Sequence, residues 1–254
     1  MHRFFLPNVP LSSGQTVDLA PLAHQLHTVL RLTIGAEIIL LDGLGAEFVT
    51  RLERVERSRV LGLILGQRAA AAEPATEVTL YQCSLKADKF EWVLQKGTEL
   101  GVSRFAPIIS ERSVVRPAAA LLKKYDRWQA ILREAAEQCG RSRLPQLEPP
   151  RNWAEAVDQG HGLRLILWEE AQTLGAPGLG ETIARLPTPR PITLLIGPEG
   201  GLTEAEVTAA STAGWQIVSL GRRTLRAETA TLAATTIVLD RLGELGGRAP
   251  AANL

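Results

Sequence analysis

Cysteine is nearly absent. The 254 residues hold two, Cys83 and Cys139. That is too few for a disulfide scaffold, and their spacing is not that of zinc ligands. No metal centre is expected, and a reducing cytoplasm is the expected compartment. No apolar run approaches the ~18 residues that a membrane-crossing helix needs. The opening "MHRFFLPNVPLSSG" lacks the apolar core of a secretory signal. No internal repeat is present, and no low-complexity tract beyond one alanine-rich stretch. Net charge is +1, so no global excess of one sign points to a polyanionic partner.

What is present is apolar content of 45%, enough for a packed core in one or two domains. Charge is unevenly placed. Residues 81–151 carry 13 basic and 8 acidic side chains, and residues 152–254 carry 8 and 11. A basic middle can meet a polyanion while the C-terminal part does something else.

The first 70 residues read as β-rich. "AEIILLDGLGAEFVTRLERV" is two strands around an Asp42-Gly43 turn, and "RVLGLILGQRA" is a third, together suggesting a small barrel. "AAAAEPAT" then marks a boundary. The expected organisation is residues 1–70 as the barrel, 71–76 as a linker and 77–246 as a second domain. From Glu77 the order becomes β-α-β, which predicts a parallel sheet of about five strands. Asp88 with Glu91 suggests a capping box, one long helix is expected from Ala119 to Gly140, and Thr203 with Glu206 suggests a second box. Trp92, Trp128, Trp153 and Trp215 read as core.

Two glycine-bearing turns follow predicted strands. "LLIGPEGGLTEAEV" is neither a P-loop nor a dinucleotide fingerprint, because the lysine, hydroxyl and glycine spacings are wrong. Glu199 at its centre would repel a pyrophosphate. It suits a ligand with hydroxyls, an amine or a positive charge, such as S-adenosylmethionine. Pro198 fixes φ, and Gly200 and Gly201 let the backbone approach a flat adenosine. The second turn, "SLGRRTLRAETA", sets Arg222, Arg223 and Arg226 near Glu228 just before a helix. Guanidinium groups offer forked donors and stack on planar rings. An Arg226–Glu228 ion pair that merely holds the loop stays open.

These motifs, with "HRFFL", Thr28-Val29-Leu30-Arg31, "LLDGLG", "QKGTELGVSRFAPIISERSVV" and "EAAEQCGRSRLPQLEPP" in the same order, resemble the RsmE-type 16S rRNA (uridine-N3) methyltransferases of the SPOUT superfamily. The resemblance spans most of the chain. It implies an α/β fold: a PUA-like β-barrel that binds RNA, then a methyltransferase domain with a deep trefoil knot. It also implies a homodimer acting on the small ribosomal subunit. It further implies that S-adenosylmethionine binds among the knot loops. The residues so marked are Trp168, Leu195, Ile196, Gly197, Glu199, Gly200, Gly201, Ser219, Leu220, Gly221, Leu225, Arg226, Thr229 and Ala230. One departure is visible: Arg222 stands where the family usually has proline.

Methyl transfer to uridine N3 requires the base to be unpaired or flipped and its proton to leave. An arginine can stabilise the charge that then spreads onto the ring oxygens, and a carboxylate can accept the proton. Arg223 or Arg226 is assigned the first role, and Glu228 or Glu199 the second. For phosphate contacts the candidates are Arg3, Arg31, Lys96, Arg112, Arg116, Arg141 and Arg143, with Arg141-Ser142-Arg143 foremost. Phe4 and Phe5 read as barrel core, and His24 and His27 as RNA-facing or structural. Three other readings stay open: a ribose 2′-O-methyltransferase, a non-catalytic RNA-binding module, and a nucleotide-phosphate enzyme.

Overall fold

The computed structural model describes residues 1–7, 9–70 and 72–246; Asn8 of the expected barrel and Ala71 of the expected linker lie outside them. The chain is mixed α/β and divides into two compact units, Met1–Glu73 with Arg133–Leu144, and Pro74–Leu132 with Pro145–Leu254.

In the first unit, β1 (Arg3–Phe5), β2 (Thr16–Asp18), β3 (Glu37–Leu41), β4 (Ala46–Val55) and β5 (Val60–Ala69) form one sheet in the order β1-β3-β4-β5-β2. β1 runs parallel to β3, and the other pairs are antiparallel. The β3–β4 reversal is fixed by Asp42, whose Oδ1 accepts from the N–H groups of Leu44 (2.7 Å) and Ala46 (3.2 Å). The run "IILL" is apolar throughout because both faces are covered. Ile38 and Leu40 pack with Phe4, Phe48 and Leu52, while Ile39 and Leu41 pack with Phe5 and Ala136. A 3-10 turn (Ala20–Leu22) and a π-helical turn (His24–Val29) follow β2.

The second unit contains β6 (Val78–Cys83), α1 (Ala87–Leu100), β7 (Arg104–Ile109), α2 (Ala118–Leu122), α3 (Tyr125–Cys139), β8 (Gln146–Leu147), β9 (Arg151–Asn152), α4 (Trp153–Gln159), β10 (Leu163–Leu167), α5 (Leu179–Ala184), β11 (Ile192–Ile196), α6 (Glu204–Thr212), β12 (Gln216–Val218) and α7 (Ala227–Arg241). The part of α3 from Arg133 belongs to the first unit. The sheet is parallel throughout, ordered β12-β10-β11-β6-β7-β8, with β9 also paired to β7. Among the described residues it has seven strands rather than about five, because two-residue strands are too short to leave a periodic signal.

Alternation along the strands divides the core. Val78, Leu80, Leu194 and Ile196 pack with Phe90, Leu94, Ala234 and Val238 from α1 and α7. Tyr81, Cys83, Ile166 and Leu195 pack with Val157, Val207 and Ala210 from α4 and α6. β11 is buried at every residue, as a central parallel strand covered on both faces should be.

Three local expectations are corrected. The long helix is two helices, interrupted at Lys123 and Lys124. The Asp88–Glu91 box does not form: Lys86 is the N-cap of α1 and makes no side-chain cap, and Glu91 instead accepts from Arg127 Nη2 at 2.7 Å. Trp92 is 41% exposed, whereas Trp128 and Trp215 are buried and Trp153 is half-buried. The Thr203–Glu206 box is present in both directions. Among the described residues no helix is long and apolar enough to cross a membrane.

Candidate active site

Three loops leave the C-terminal ends of neighbouring strands β10, β11 and β12, the edge where open parallel sheets bind ligands. The loop after β11 turns at Pro198, whose carbonyl accepts from Gly201 N–H at 3.0 Å, with Gly201 at φ +72°. Leu202 folds back under Gly197 so closely that a Cβ there would lie 3.0 Å from Leu202 Cγ. Thr203 then caps α6: its Oγ1 accepts from Glu206 N–H at 3.3 Å, and Glu206 Oε2 accepts from Thr203 N–H at 2.9 Å.

The loop after β12 is set by Ser219. Its Oγ accepts from Gly221 N–H at 3.0 Å, and its backbone bonds to Pro177 and Leu179. Gly221 takes φ +103° with open space around it, so the turn forms with Arg222 in place of proline, and Arg222 is exposed. Arg226 is the N-cap of α7.

Between these loops lies a cavity of about 300 Å³. Its walls include Leu167, Ile196, Val218, Leu220 and Ala230, and Glu169, Glu199, Arg223 and Arg226 supply charge. Of the cofactor candidates, Trp168, Ile196, Gly197, Glu199, Gly201, Leu220, Gly221, Leu225, Arg226 and Ala230 line it; Leu195, Gly200, Ser219 and Thr229 do not. Leu195 is wholly buried in the core beneath, Ser219 acts on the turn from behind, and Gly200 faces Arg112 instead.

A family model for an RNA methyltransferase domain matches residues 72–239, a span that holds all three loops. A ribosomal RNA small subunit methyltransferase E from Synechocystis is 35% identical over 94% of this chain and 76% of its own length. One from Bacillus subtilis is 32% identical over 94% and 96%. The chain belongs to this methyltransferase E family. The same fold is seen in the Neisseria gonorrhoeae member crystallised with S-adenosyl methionine, at 38% identity, TM-score 0.85 and coverage of 94% and 97%.

Within this family member, sequence reasoning missed Lys89. Its Nζ lies 3.2 and 3.3 Å from the two oxygens of Glu228 and 3.6 Å from Glu199 Oε1. No local pattern announces it, since the contact closes 139 residues of chain. Glu228 therefore pairs with Lys89 rather than with Arg226. It also sits in the first turn of α7, where the helix dipole favours an anion. Arg223 and Arg226 are exposed, and no ion pair or hydrogen bond of either guanidinium is found among the described residues. Glu169, Leu167, Val218, Thr224 and Ala227 also line the cavity without having been singled out, as does Pro198, expected only to fix the turn. Cys83 is wholly buried, and that burial pushes its thiol up to about 12, which does not suit a nucleophile.

The candidate phosphate contacts divide. Arg141 is corrected: it is 3% exposed and its Nη2 donates to Glu73 Oε2 at 3.0 Å. Glu73 Oε1 also accepts from the N–H groups of Ser142 and Arg143, each at 2.9 Å. A guanidinium held this way braces the fold and is withdrawn from phosphate. Arg143 and Arg31 are exposed, the latter at φ +52°. Arg3 lies 3.8 Å from Glu47, and Lys96 is held by Glu99 at 2.8 Å. Arg116 donates to the carbonyls of Ser113 and Glu111. Arg112 touches the loop after β11, its Nη1 donating to Gly200 O at 3.2 Å.

Proposed function

We propose that this chain transfers a methyl group from S-adenosylmethionine to N3 of a uridine in the decoding region of small-subunit rRNA, acting as a cytoplasmic homodimer on the assembled subunit. The observation that carries this reading is the cavity at the ends of β10, β11 and β12. Its contents suit the donor. Apolar walls match an adenine ring, carboxylates match ribose hydroxyls and cationic groups, and open glycines allow close backbone approach. Trp168 Nε1 is a buried donor with no partner of its own among the described residues. When bound, the donor supplies an electrophilic methyl on its sulfonium.

The chain's residues supply position and charge. Arg223 or Arg226, neither of which has an ion pair or hydrogen bond among the described residues, stabilises the negative charge that develops on the uracil oxygens as N3 loses its proton. Glu228 or Glu199 accepts that proton. Apart from Arg141, the basic candidates position the RNA through phosphates, Arg3, Arg31 and Arg143 on the first unit and Lys96, Arg112 and Arg116 on the second. The first unit, over residues 1–70, is read as a PUA-like barrel. The second is read as a SPOUT domain whose chain is knotted; the placement of β12 beside β10, outside β11, is compatible with such threading.

Mass spectrometry of small-subunit rRNA from cells with and without this gene tests the reading. Loss of one N3-methyluridine on deletion supports it. Loss of a 2′-O-methyl nucleoside, or no change, contradicts it.

A further inference from the structure

We propose that Lys89 and Gln82 form a two-point clasp that fixes the loop after β11 against the start of α7, and so pre-organises the pocket; its catalytic meaning rests on the donor reading above. The two segments meet at two heights. At the cavity wall, the Lys89 ammonium reaches Glu199 from one segment and Glu228 from the other. Beneath, Gln82 is 1% exposed. Its Nε2 lies within hydrogen-bond distance of three carbonyls, Cys83 O at 3.1 Å, Gly197 O at 3.3 Å and Ile196 O at 3.5 Å, and its Oε1 accepts from Thr231 Oγ1 at 2.5 Å. Both side chains come from one stretch, the end of β6 and the first turn of α1, and both bridge the same pair of segments.

The electrostatics require such a link. Two carboxylates facing one space repel, and a shared cation reverses the sign. The side chains of Lys89, Glu199 and Glu228 are 27%, 22% and 15% exposed, so water screens the pairs less than it screens surface pairs. Lys86 N–H adds a bond to Glu199 Oε1 at 3.3 Å, from the start of the same helix. Taking both carboxylates has a second effect: the guanidiniums of Arg223 and Arg226 stay available to the acceptor. Gln82 works only as an amide, because its site needs N–H donors for the surrounding carbonyls and an acceptor for a hydroxyl.

Lys89 and Gln82 are positioning residues, and the test uses two readouts on the full chain. The first is hydrogen exchange without donor at residues 197–201 and 224–229. The second is donor affinity by calorimetry, with KM and kcat. Lys89→Met should speed exchange in both loops and weaken S-adenosylmethionine binding about tenfold. KM should change more than kcat, and Lys89→Arg should restore most of the loss. In a Glu228→Gln background the same substitution should cost less, because the partner is already neutral. Unchanged exchange in both loops of Lys89→Met overturns the clasp. Failure of the wild-type chain to bind the donor overturns the donor reading instead, and leaves the exchange result to decide the clasp.

Discussion

Gly201 offers the sharpest probe of the loop geometry. At φ +72° it occupies the left-handed region, where a residue with a side chain costs roughly 1–2 kcal/mol. A Cβ at this position would also press on the Glu169 carboxylate, which lines the cavity. That group ends a flexible side chain and can swing aside, so the added cost is small beside the backbone term. If the strain falls on the binding-competent loop, Gly201→Ala should weaken the donor by about 5- to 30-fold. Calorimetric titration reads this directly. Gly178→Ala is the control, because Gly178 has φ −66° and a Cβ there meets nothing within 4 Å; its affinity should stay within about twofold. Wild-type affinity in Gly201→Ala, with the loop unmoved, would refute the claim that this turn shapes the pocket.

Other outcomes follow from the same geometry. Arg226→Ala should lower kcat, read at saturating donor, by about 10²–10³ if its guanidinium meets the developing oxyanion; turnover at the wild-type rate rejects the assignment. Glu73→Ala leaves Arg141 buried without its carboxylate and should cost about 3–5 kcal/mol, read as a fall in unfolding free energy; a loss below about 1 kcal/mol would return Arg141 to the surface class. Burial raises the Glu137 carboxyl above its ordinary 4.5, with only partial relief from the Phe5 N–H at 2.9 Å. The native state then holds its proton to higher pH than the unfolded chain, so stability falls as pH rises above 4.5. Glu137→Gln keeps an acceptor for Phe5 and should flatten that fall; an unchanged pH–stability curve contradicts it.

The sequence spoke clearly where signals are local. Ile192–Ile196 reads as a doubly covered strand because all five residues are apolar or small enough to bury. Thr203 and Glu206 announce α6 because a capping box needs only four residues. The glycine loops and their arginines are equally short-range, so most of the cavity lining was foreseeable. What stayed hidden depends on distance in the chain. Lys89 looks like any lysine in a first helical turn until Glu228 is brought beside it. Arg141 looks like a surface cation because Glu73 lies 68 residues away. Trp92 looks apolar enough for the core, yet α1 turns it outward. The two-residue strands β8 and β9 are defined by pairing with β7, and no period can reveal them.

The most direct test of the central claim is a crystal structure of the chain soaked or grown with S-adenosylmethionine. The donor should lie between the loops at 197–201 and 220–226, against Leu167 and Trp168, with Lys89 still bridging Glu199 and Glu228. A cavity that stays empty at saturating donor, or a donor seated away from these loops, would contradict it.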